Sequence, residues 1–421
     1  MSHLSPNWKS DRLKDVSAIN AMSLPADTGP DYEFDYLEIS NVNYHGIVDL
    51  KAIERIRYEN APSRARRRLA KNCTVISSVR PNLQAVAFLE NGRKDFVCST
   101  GFNVVQPAET KLSPKFAYYA LISEAARQYF EATAKGVGYP AVDDKDFQSF
   151  DIPLPPFTEQ QRIAAYLDAS CAAIDAAVAA KRRQLETLDA LRLSIIHSFF
   201  TSQSYAPSER IKDIAAKITS GVTPEGGASG YLDNGIPLLR SQNVHFDGLR
   251  LDDVAYISAE IHAGMRGSQL RARDVLLNIT GASIGRCTFV PDGFGEGNVN
   301  QHVCIIRPGP CVDYRYLTAF ISSSMGQDQI LSTFTGASRQ GLSHSDLGLI
   351  RIPLPKLKVQ QEIVAKIEQH DSQYIQIHRC IESQISTLTA YRKSLIHECV
   401  TGQRRITEVD VAQAHRGREA K

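Results

Sequence analysis

Two stretches of the chain carry apolar residues at alternating spacings of three and four, and neither stretch contains glycine or proline. They cover residues 158–200 and 358–401. The apolar positions are Ile163, Leu167, Ile174, Val178, Leu185, Leu188, Ile195 and Phe199 in the first, and Ile363, Ile367, Tyr374, Ile377, Ile381, Ile385, Leu388 and Leu395 in the second. This spacing is typical of a coiled-coil seam. At 1.5 Å per residue, each helix would be about 60 Å long.

The same short phrase precedes both predicted helices. IPLPP covers 152–156 and IPLPK covers 352–356. Because proline neither continues a strand nor fits inside a helix, each phrase marks a strand end and a helix start. A pair of glutamines follows each phrase, namely Gln160 and Gln161 in the first copy and Gln360 and Gln361 in the second. At a helix start these glutamines have two open roles, which are capping the helix and docking a partner.

The repeat extends beyond these phrases. Residues 151–203 placed over 351–403 without a gap agree at 18 of 53 positions. A weaker similarity links the preceding regions, for example ISNVNYHGIVDL (39–50) and RSQNVHFDGLRLDD (240–253). The chain is therefore two copies of one unit, each a mixed region followed by a long helix.

The mixed regions contain short β-rich runs such as VISSV and VLLNIT, and amphipathic segments at 115–134 and 314–334. We therefore predict two α/β (α+β) domains, related by a pseudo-twofold repeat and joined by two long helices. One such helix would be unstable alone, so we expect the two to form an antiparallel coiled coil. The predicted boundaries are 1–157 and 204–357 for the domains, 158–203 and 358–403 for the helical spacers, and 404–421 for a charged, frayed C-terminal tail.

Composition excludes several classes of protein. The longest charge-free run has sixteen residues and the N-terminal residues lack an apolar stretch, so we expect a cytoplasmic protein that does not contact a membrane. The eight cysteines have no zinc-ligand spacing and are expected to be reduced thiols. There is no phosphate-binding glycine loop, no [DNS]PPY and no HExxH. We therefore predict no catalytic residue, metal or cofactor in this chain.

Two basic segments occupy matched places in the two halves. Their basic residues are Arg64, Arg66, Arg67, Arg68 and Lys71 in the first half and Arg266, Arg271 and Arg273 in the second. The net charge is only +2, so a nucleic-acid partner has to be argued from such local segments. Arginine clamps phosphates and reads guanine edges, which favours DNA contact, and the alternative is a solvated loop. Asn41 and Asn243, in matched Asn-Val pairs, either read adenine or stabilise a turn.

In this combination the chain resembles the DNA-specificity (S) subunit of a type I restriction-modification system. The resemblance covers nearly the whole chain and depends on the doubled IPLP phrase with its glutamine pair, on LIH followed by TGQ at 395–403, and on TGASRQGLSHSDLGLIRIPLP at 335–355. The first copy departs from the last motif and reads AKGVGYPAVDDKDFQSFDIPLP at 134–155.

The resemblance implies two target-recognition domains, each reading half of a bipartite, asymmetric site in double-stranded DNA. It also implies that the paired helices set the gap and dock two methyltransferase (M) subunits, which would hold S-adenosylmethionine. Motor-nuclease (R) subunits would add restriction, and the chain itself would be non-catalytic. Two other classes stay open at this point: an enzyme with a hidden nuclease or methyltransferase site, and a coiled-coil adaptor without a DNA role.

Overall fold

The computed structural model describes residues 8–419 except 44–45, 47, 81–84, 93–94, 137, 139, 204, 225–226 and 334–340. The contacts divide the chain into two compact units, a first one of Met1–Arg182 with Glu382–Lys421 and a second one of Arg183–Ile381. Both divisions fall inside the long helices. Each unit therefore holds one mixed domain and one half of each long helix.

The first domain begins with a short strand and helix, continues through eight further strands, and ends in three short helices and the strand that precedes the long helix. Its elements are β1 (Lys9–Arg12), α1 (Leu13–Val16), β2 (Ser17–Ile19), β3 (Glu33–Leu37), β4 (Glu54–Arg57), β5 (Ala65–Arg68), β6 (Cys73–Ser77), β7 (Val86–Leu89), β8 (Phe96–Ser99), β9 (Phe102–Pro107), α2 (Pro114–Leu121), α3 (Glu124–Thr133), α4 (Asp144–Gln148), β10 (Asp151–Leu154) and α5 (Phe157–Thr201).

Two four-stranded sheets pack face to face in this domain, in the orders β2-β9-β6-β7 and β4-β3-β8-β5. The strand period of two explains the layers. Val75 and Val104 pack in the cluster between the sheets, together with residues of β3 and β8. Their neighbours Ile76 and Val105 pack on the opposite face with α2, α3 and the start of α5. β1 pairs antiparallel with β10 at the edge where the long helix begins.

The second half of the chain follows a similar order, with two short strands and a short helix added and without a strand equivalent to β5 among the described residues, and its last helix lies in the first unit. The elements are β11 (Ser208–Arg210), α6 (Ile211–Ile214), β12 (Ala215–Ser220), β13 (Ile236–Leu239), β14 (Val244–His245), β15 (Gly248–Leu249), β16 (Ala255–Ile257), α7 (Ala259–Gly264), β17 (Val275–Asn278), β18 (Cys287–Phe289), β19 (Asn298–Val299), β20 (Val303–Pro308), α8 (Tyr314–Ser322), α9 (Ser324–Ser332), α10 (His344–Leu349), β21 (Arg351–Pro353), α11 (Leu357–Thr401) and α12 (Glu408–Glu419).

The strand pairing of the second domain follows the first. Its four-stranded sheet has the order β12-β20-β17-β18, and its second sheet has the order β16-β13-β19. A parallel pair occurs at the matched place in each domain, β3 with β8 and β13 with β19. The faces alternate again, because Leu276 and Ile305 pack between the sheets while Leu277 and Ile306 face the helices. The repeat inferred from sequence is therefore a repeat of the fold.

The long helices α5 and α11 begin one residue before the predicted stretches and each has 45 residues. By length and composition alone α5 could cross a membrane, since an 18-residue window of it has a mean hydropathy of 1.5. Its residues Ile163, Leu167 and Ile174, however, are buried in the core of the first unit. Of the residues in that window 39% are buried, so the composition of this helix is only weak evidence for a membrane span.

Within each unit, half of α5 contacts half of α11. In the first unit Arg392 forms an ion pair with Asp175 at 2.9 Å. In the second unit Arg192, the residue equivalent to Arg392, donates to both carboxylate oxygens of Asp371 at 2.7 and 3.0 Å. The Arg192 guanidinium also lies 5.2 Å from the centre of the Tyr374 ring. Matched arginines therefore connect the two helices through different acidic partners.

The prediction that residues 404–421 form a frayed tail is wrong. Residues 408–419 form α12, and the preceding Ile406 is 1% exposed. Ile406 lies in the core of the first unit, with Val411 and Ala414 packed against it. These three apolar residues stand in a segment of mostly charged and polar residues, and they pack the segment against the first domain.

The ion pair in the second unit is expected to stabilise it. Arg192→Met would remove two charge-assisted hydrogen bonds and leave Asp371, whose side chain is 30% exposed, with less compensation. We expect the free energy of unfolding to fall by about 1–3 kcal/mol, measured by chemical denaturation. Arg183→Met, at an exposed position of the same helix, is the matched control and should change it by less than about 0.5 kcal/mol. Equal losses in the two variants would contradict the prediction.

Candidate nucleic-acid interface

The basic segment of the first domain runs along β5, which pairs antiparallel with β8. Arg64 lies just before this strand, and its side chain is 61% exposed although it forms an ion pair with Glu38 at 3.1 Å. Arg68 and Lys71 are exposed as well, and within the described part of the chain neither forms an ion pair. The half-buried Arg66 stacks over the ring of Tyr58 at 4.8 Å. Contact of these four cations with DNA phosphates stays a prediction.

Arg67 has a different role. Its guanidinium is only 14% exposed, and it donates to the carbonyl oxygen of Phe102 and to Oδ1 of Asn103, the latter at 3.2 Å. Burial lowers the pKa of Arg67, while the nearby carboxylate of Asp144 opposes that shift. Arg67 thus ties β5 to β9, one strand from each sheet. Arg67, predicted to contact DNA, instead points into the domain, because alternate residues of a strand point to opposite faces.

The basic segment of the second domain lies beside β19, at the place equivalent to β5, but forms only an isolated bridge between Gln269 and Asn298. Arg266 and Arg271 are exposed. Arg273 is exposed and forms a double hydrogen bond to Asp292 at 3.0 and 3.1 Å. That hydrogen bond raises the pKa of Arg273 and lowers the pKa of Asp292.

Asn41 and Asn243 hold turns. In each domain the Oδ1 atom accepts from a backbone N–H three residues earlier, that of Glu38 at 2.8 Å and that of Arg240 at 2.9 Å. The amide nitrogen of Asn41 donates to the carbonyl of Ala52, and that of Asn243, which is 1% exposed, donates to two carbonyls. Of the two roles left open by the sequence, the geometry favours the turn-stabilising one.

Gln160 and Gln360 are buried at the helix starts, at 1% and 0% exposure. In the first domain, Oε1 of Gln160 accepts from the Ser113 N–H at 2.8 Å. Its Nε2 donates to the carbonyls of Lys111 and Pro155 at 3.0 and 2.9 Å. In the second domain, Gln360 makes the same three bonds to Asp313, Cys311 and Pro355, at 2.9, 3.0 and 2.8 Å.

Every member of this network has its counterpart 200 residues later. Gln160 and Gln360 therefore stabilise the helix starts. Because both side chains are buried, they are not accessible to a partner. Gln161 and Gln361 are exposed, and partner docking by these two stays a prediction.

One polar turn of the second domain, in which Gln301 is exposed, is not among the site residues predicted from the sequence. Asn300, Gln301 and His302 connect β19 to β20. Nε2 of Gln301 lies 3.0 Å from Nε2 of His302, whose Nδ1 lies 2.6 Å from the hydroxyl of Thr280. The hydroxyl of Thr223 donates to Oε1 of Gln301. The signal lay in the repeat, because the matched turn of the first domain has Thr100 and Gly101 in place of Gln301 and His302.

No group of three or more His, Cys, Asp or Glu side chains in the described residues is arranged to hold a metal ion. The polar side chains instead form two exposed, partly basic surfaces, one on each domain, supported by a repeated frame.

The family model for the type I restriction modification DNA specificity domain matches residues 6–187 and 268–387, which is more than two thirds of the chain. The chain belongs to this family. It is a DNA-specificity subunit of a type I restriction-modification system, a non-catalytic subunit whose partners carry the catalysis.

Curated relatives agree with this assignment. The EcoBI specificity subunit of Escherichia coli is 24% identical over 330 residues, which cover 71% of this chain and 67% of the relative. The MjaVIII specificity subunit of Methanocaldococcus jannaschii is 23% identical over 337 residues, covering 76% of each chain.

Solved structures share the fold. A chain from a study of complex assembly and conformational transition in the type I R-M system matches with a TM-score of 0.80 at 22% identity, covering 96% of this chain and 100% of its own. The HsdS subunit from Thermoanaerobacter tengcongensis matches with a TM-score of 0.55 at 22% identity, covering 95% and 98%. The specificity subunit described here therefore has the mixed, two-domain fold with long helices expected from its sequence.

The glutamine pairs of the specificity subunit offer a matched test of burial. Gln360→Ala would leave the Asp313 N–H and two carbonyls without a partner, so we expect the free energy of unfolding to fall by about 2–4 kcal/mol. Gln361→Ala, at the exposed neighbouring position, should change it by less than about 0.5 kcal/mol. Chemical denaturation of both variants measures the difference. If the exposed glutamine proved the more costly to remove, the structural role of Gln360 would be refuted.

Proposed function

We propose that the two recognition domains of this specificity subunit read the two halves of a bipartite, asymmetric DNA site. The observation that carries the proposal is that the domains share one frame but expose different side chains. The bonds of Gln160 and Gln360 agree atom for atom, whereas the basic residues of β5 have only a partial counterpart at 266–273. A shared frame favours equivalent approaches to the two strands of a duplex, and the diverged surfaces favour different half-sites.

The exposed cations fit contacts to phosphates. Arg64, Arg66, Arg68 and Lys71 supply them in the first domain, and Arg266, Arg271 and Arg273 supply them in the second. Arg67, Asn41 and Asn243 act by supporting these surfaces from within, because their polar atoms already have partners inside the domain. Phosphate contacts fix the position of a protein on DNA, and sequence is then read at base edges.

The remaining parts of the proposal concern partners. Two methyltransferase subunits dock on the long helices, with Gln161 and Gln361 at the exposed helix starts, and each holds S-adenosylmethionine. The helices pair along their length as an antiparallel coiled coil and set the gap between the half-sites. Motor-nuclease subunits join the complex for restriction, and the complex works in the cytoplasm.

The phosphate contacts predict a change in salt dependence. Lys71→Ala in the assembled complex should weaken binding to all duplexes alike and reduce the slope of log Kobs against log[salt] by about 1, because one fewer phosphate is neutralised. Mobility shifts or fluorescence anisotropy across a salt series measure this slope. Lys14→Ala, exposed on α1, is the control and should leave the slope unchanged. Identical slopes for wild type and Lys71→Ala would remove Lys71 from the interface.

The spacer role predicts a change in the recognised gap. One heptad inserted at matched places in both α5 and α11 adds about 10.5 Å, so the gap should widen by on the order of three base pairs. The two half-sites should stay the same, because the domains are untouched. Methylome sequencing of cells that carry the variant with its methyltransferase partner gives the recognised sequence directly. Return of the parental gap would contradict the spacer role, and DNA methylation by the specificity subunit alone would contradict its non-catalytic assignment.

A further inference from the structure

We infer that the turn between β19 and β20 reads bases in the second domain, with Gln301 as an adenine-recognising, specificity-determining residue. The inference rests on the proposed function and names a site within it. Five observations support it: a common frame in the two domains, different side chains on that frame, a fixed orientation of the Gln301 amide, the exposure of Gln301, and the position of the turn beside the basic segment.

The turn has the same backbone frame in both domains. In the second domain the His302 N–H donates to Oδ1 of Asn300 at 3.1 Å, and the Ile279 N–H donates to the carbonyl of His302 at 3.0 Å. In the first domain the Gly101 N–H donates to the hydroxyl of Ser99 at 3.2 Å. The Ser78 N–H there donates to the carbonyl of Gly101 at 2.9 Å. The turn therefore holds its shape without any contribution from Gln301.

The side chains presented by the two turns differ. The first domain has Thr100 and Gly101, and a Cβ atom added to Gly101 would lie 2.8 Å from Cδ1 of Ile39, so that turn cannot take a larger residue without movement of Ile39. The second domain has Gln301 and His302 at these positions. Two domains that read different half-sites need this combination of a constant frame and variable side chains.

Hydrogen bonds fix the orientation of the Gln301 amide. Its Oε1 accepts from the hydroxyl of Thr223, and its Nε2 donates to Nε2 of His302 at 3.0 Å. His302 is then the tautomer with its proton on Nδ1, which donates to the hydroxyl oxygen of Thr280 at 2.6 Å. Thr223, His302 and Thr280 are positioning residues. They hold the amide from both sides, so little side-chain entropy remains to be lost when a ligand binds.

The bonds among the described residues leave one donor and one acceptor unused on the Gln301 amide. A primary amide has two N–H donors and two acceptor lone pairs, and Thr223 and His302 use one of each. Gln301 is exposed, so a ligand can reach the unused N–H and the unused lone pair of its amide. Adenine presents a complementary acceptor, N7, and donor, N6–H, in the major groove, and a glutamine amide can bind both at once.

The position of the turn beside the basic segment supports contact with DNA. In the first domain the Thr100 N–H donates to the carbonyl of Arg64 at 2.8 Å, so the turn is bonded to the start of the exposed basic segment. A base-reading turn bonded to a phosphate-binding segment combines specificity with positioning. In the second domain the strand that leads into the turn is bridged to the basic segment, through Gln269 and Asn298.

The test compares Gln301→Ala and Gln301→Glu with wild type in the assembled methyltransferase complex. Methylome sequencing gives the recognised sequence, and mobility shifts with the wild-type target duplex and an unrelated duplex give the two affinities. For Gln301→Ala we expect one position of one half-site to lose its adenine preference, and specific affinity to fall roughly 5- to 150-fold. Binding to the unrelated duplex, the gap and the other half-site should not change.

Gln301→Glu keeps the size and the acceptor for Thr223 and replaces the donor by a second acceptor. His302 can then donate from Nε2, because the Thr280 hydroxyl is able to donate to Nδ1. We expect the same position to shift from adenine towards cytosine, whose N4 amino group is a donor. Gln128→Ala, at an exposed position of α3 in the first domain, is the control and should leave both sequence and affinity unchanged.

The outcomes separate this inference from the proposed function. If wild type shows no bipartite modification, the proposed function fails. If wild type modifies a bipartite site and both Gln301 variants recognise the same sequence with the same affinity, the role of Gln301 is refuted. A uniform loss of affinity for every duplex, or a change confined to the other half-site, would refute it as well.

Discussion

A single buried glutamine amide in each half of the chain determines how the long helix begins. Proline-rich segments follow β10 and β21, and their prolines have no backbone N–H to donate. The amides of Gln160 and Gln360 then join three backbone groups from two separate segments: the entry to α2 or α8 and the end of the proline phrase. Since each amide is excluded from water, loss of these bonds would not be replaced by solvent. The attachment of each domain to its own helix start therefore depends on one side chain.

Apart from this shared glutamine attachment, the two halves differ mainly in their exposed side chains. Buried polar contacts are preserved in kind, as in the asparagine turns at Asn41 and Asn243 and the shared backbone bonds of the β8–β9 and β19–β20 turns. Exposed side chains are not preserved, since Thr100 stands where Gln301 stands. The helix contacts follow the same rule, because Arg192 and Arg392 are matched but bind acidic residues on different turns of the partner helix. The buried polar groups are constrained by the cost of an unpaired atom, whereas exposed side chains can change without that cost.

Features with a long, regular signal in the sequence were predictable. The helices were predictable because 45 residues without glycine or proline leave few alternatives, and the internal repeat indicated the arrangement of domains.

Individual side chains were less predictable. Arg67 stands in a run of exposed arginines, yet it is used inside the domain because it falls on the inward position of β5. The tail was misjudged because its apolar positions, Ile406, Val411 and Ala414, stand among charged residues and show no clear helical period. Hydrogen bonds link Thr223, Gln301, His302 and Thr280, although Thr223 and His302 lie 79 positions apart in the sequence, and only the tertiary structure brings these residues together.

The contact division also has a consequence for the order of synthesis. The second unit is one continuous segment, Arg183–Ile381, and all of its contacts are available as soon as that segment has left the ribosome. The first unit includes Glu382–Lys421, with Leu395, Cys399 and Ile406 in its core. Although the first domain is translated first, its core is completed last. In the interval the cluster that contains Ile163, Leu167 and Ile174 lacks the residues that 382–421 contributes, so part of this apolar core stays uncovered, which favours aggregation and chaperone binding of the half-made chain.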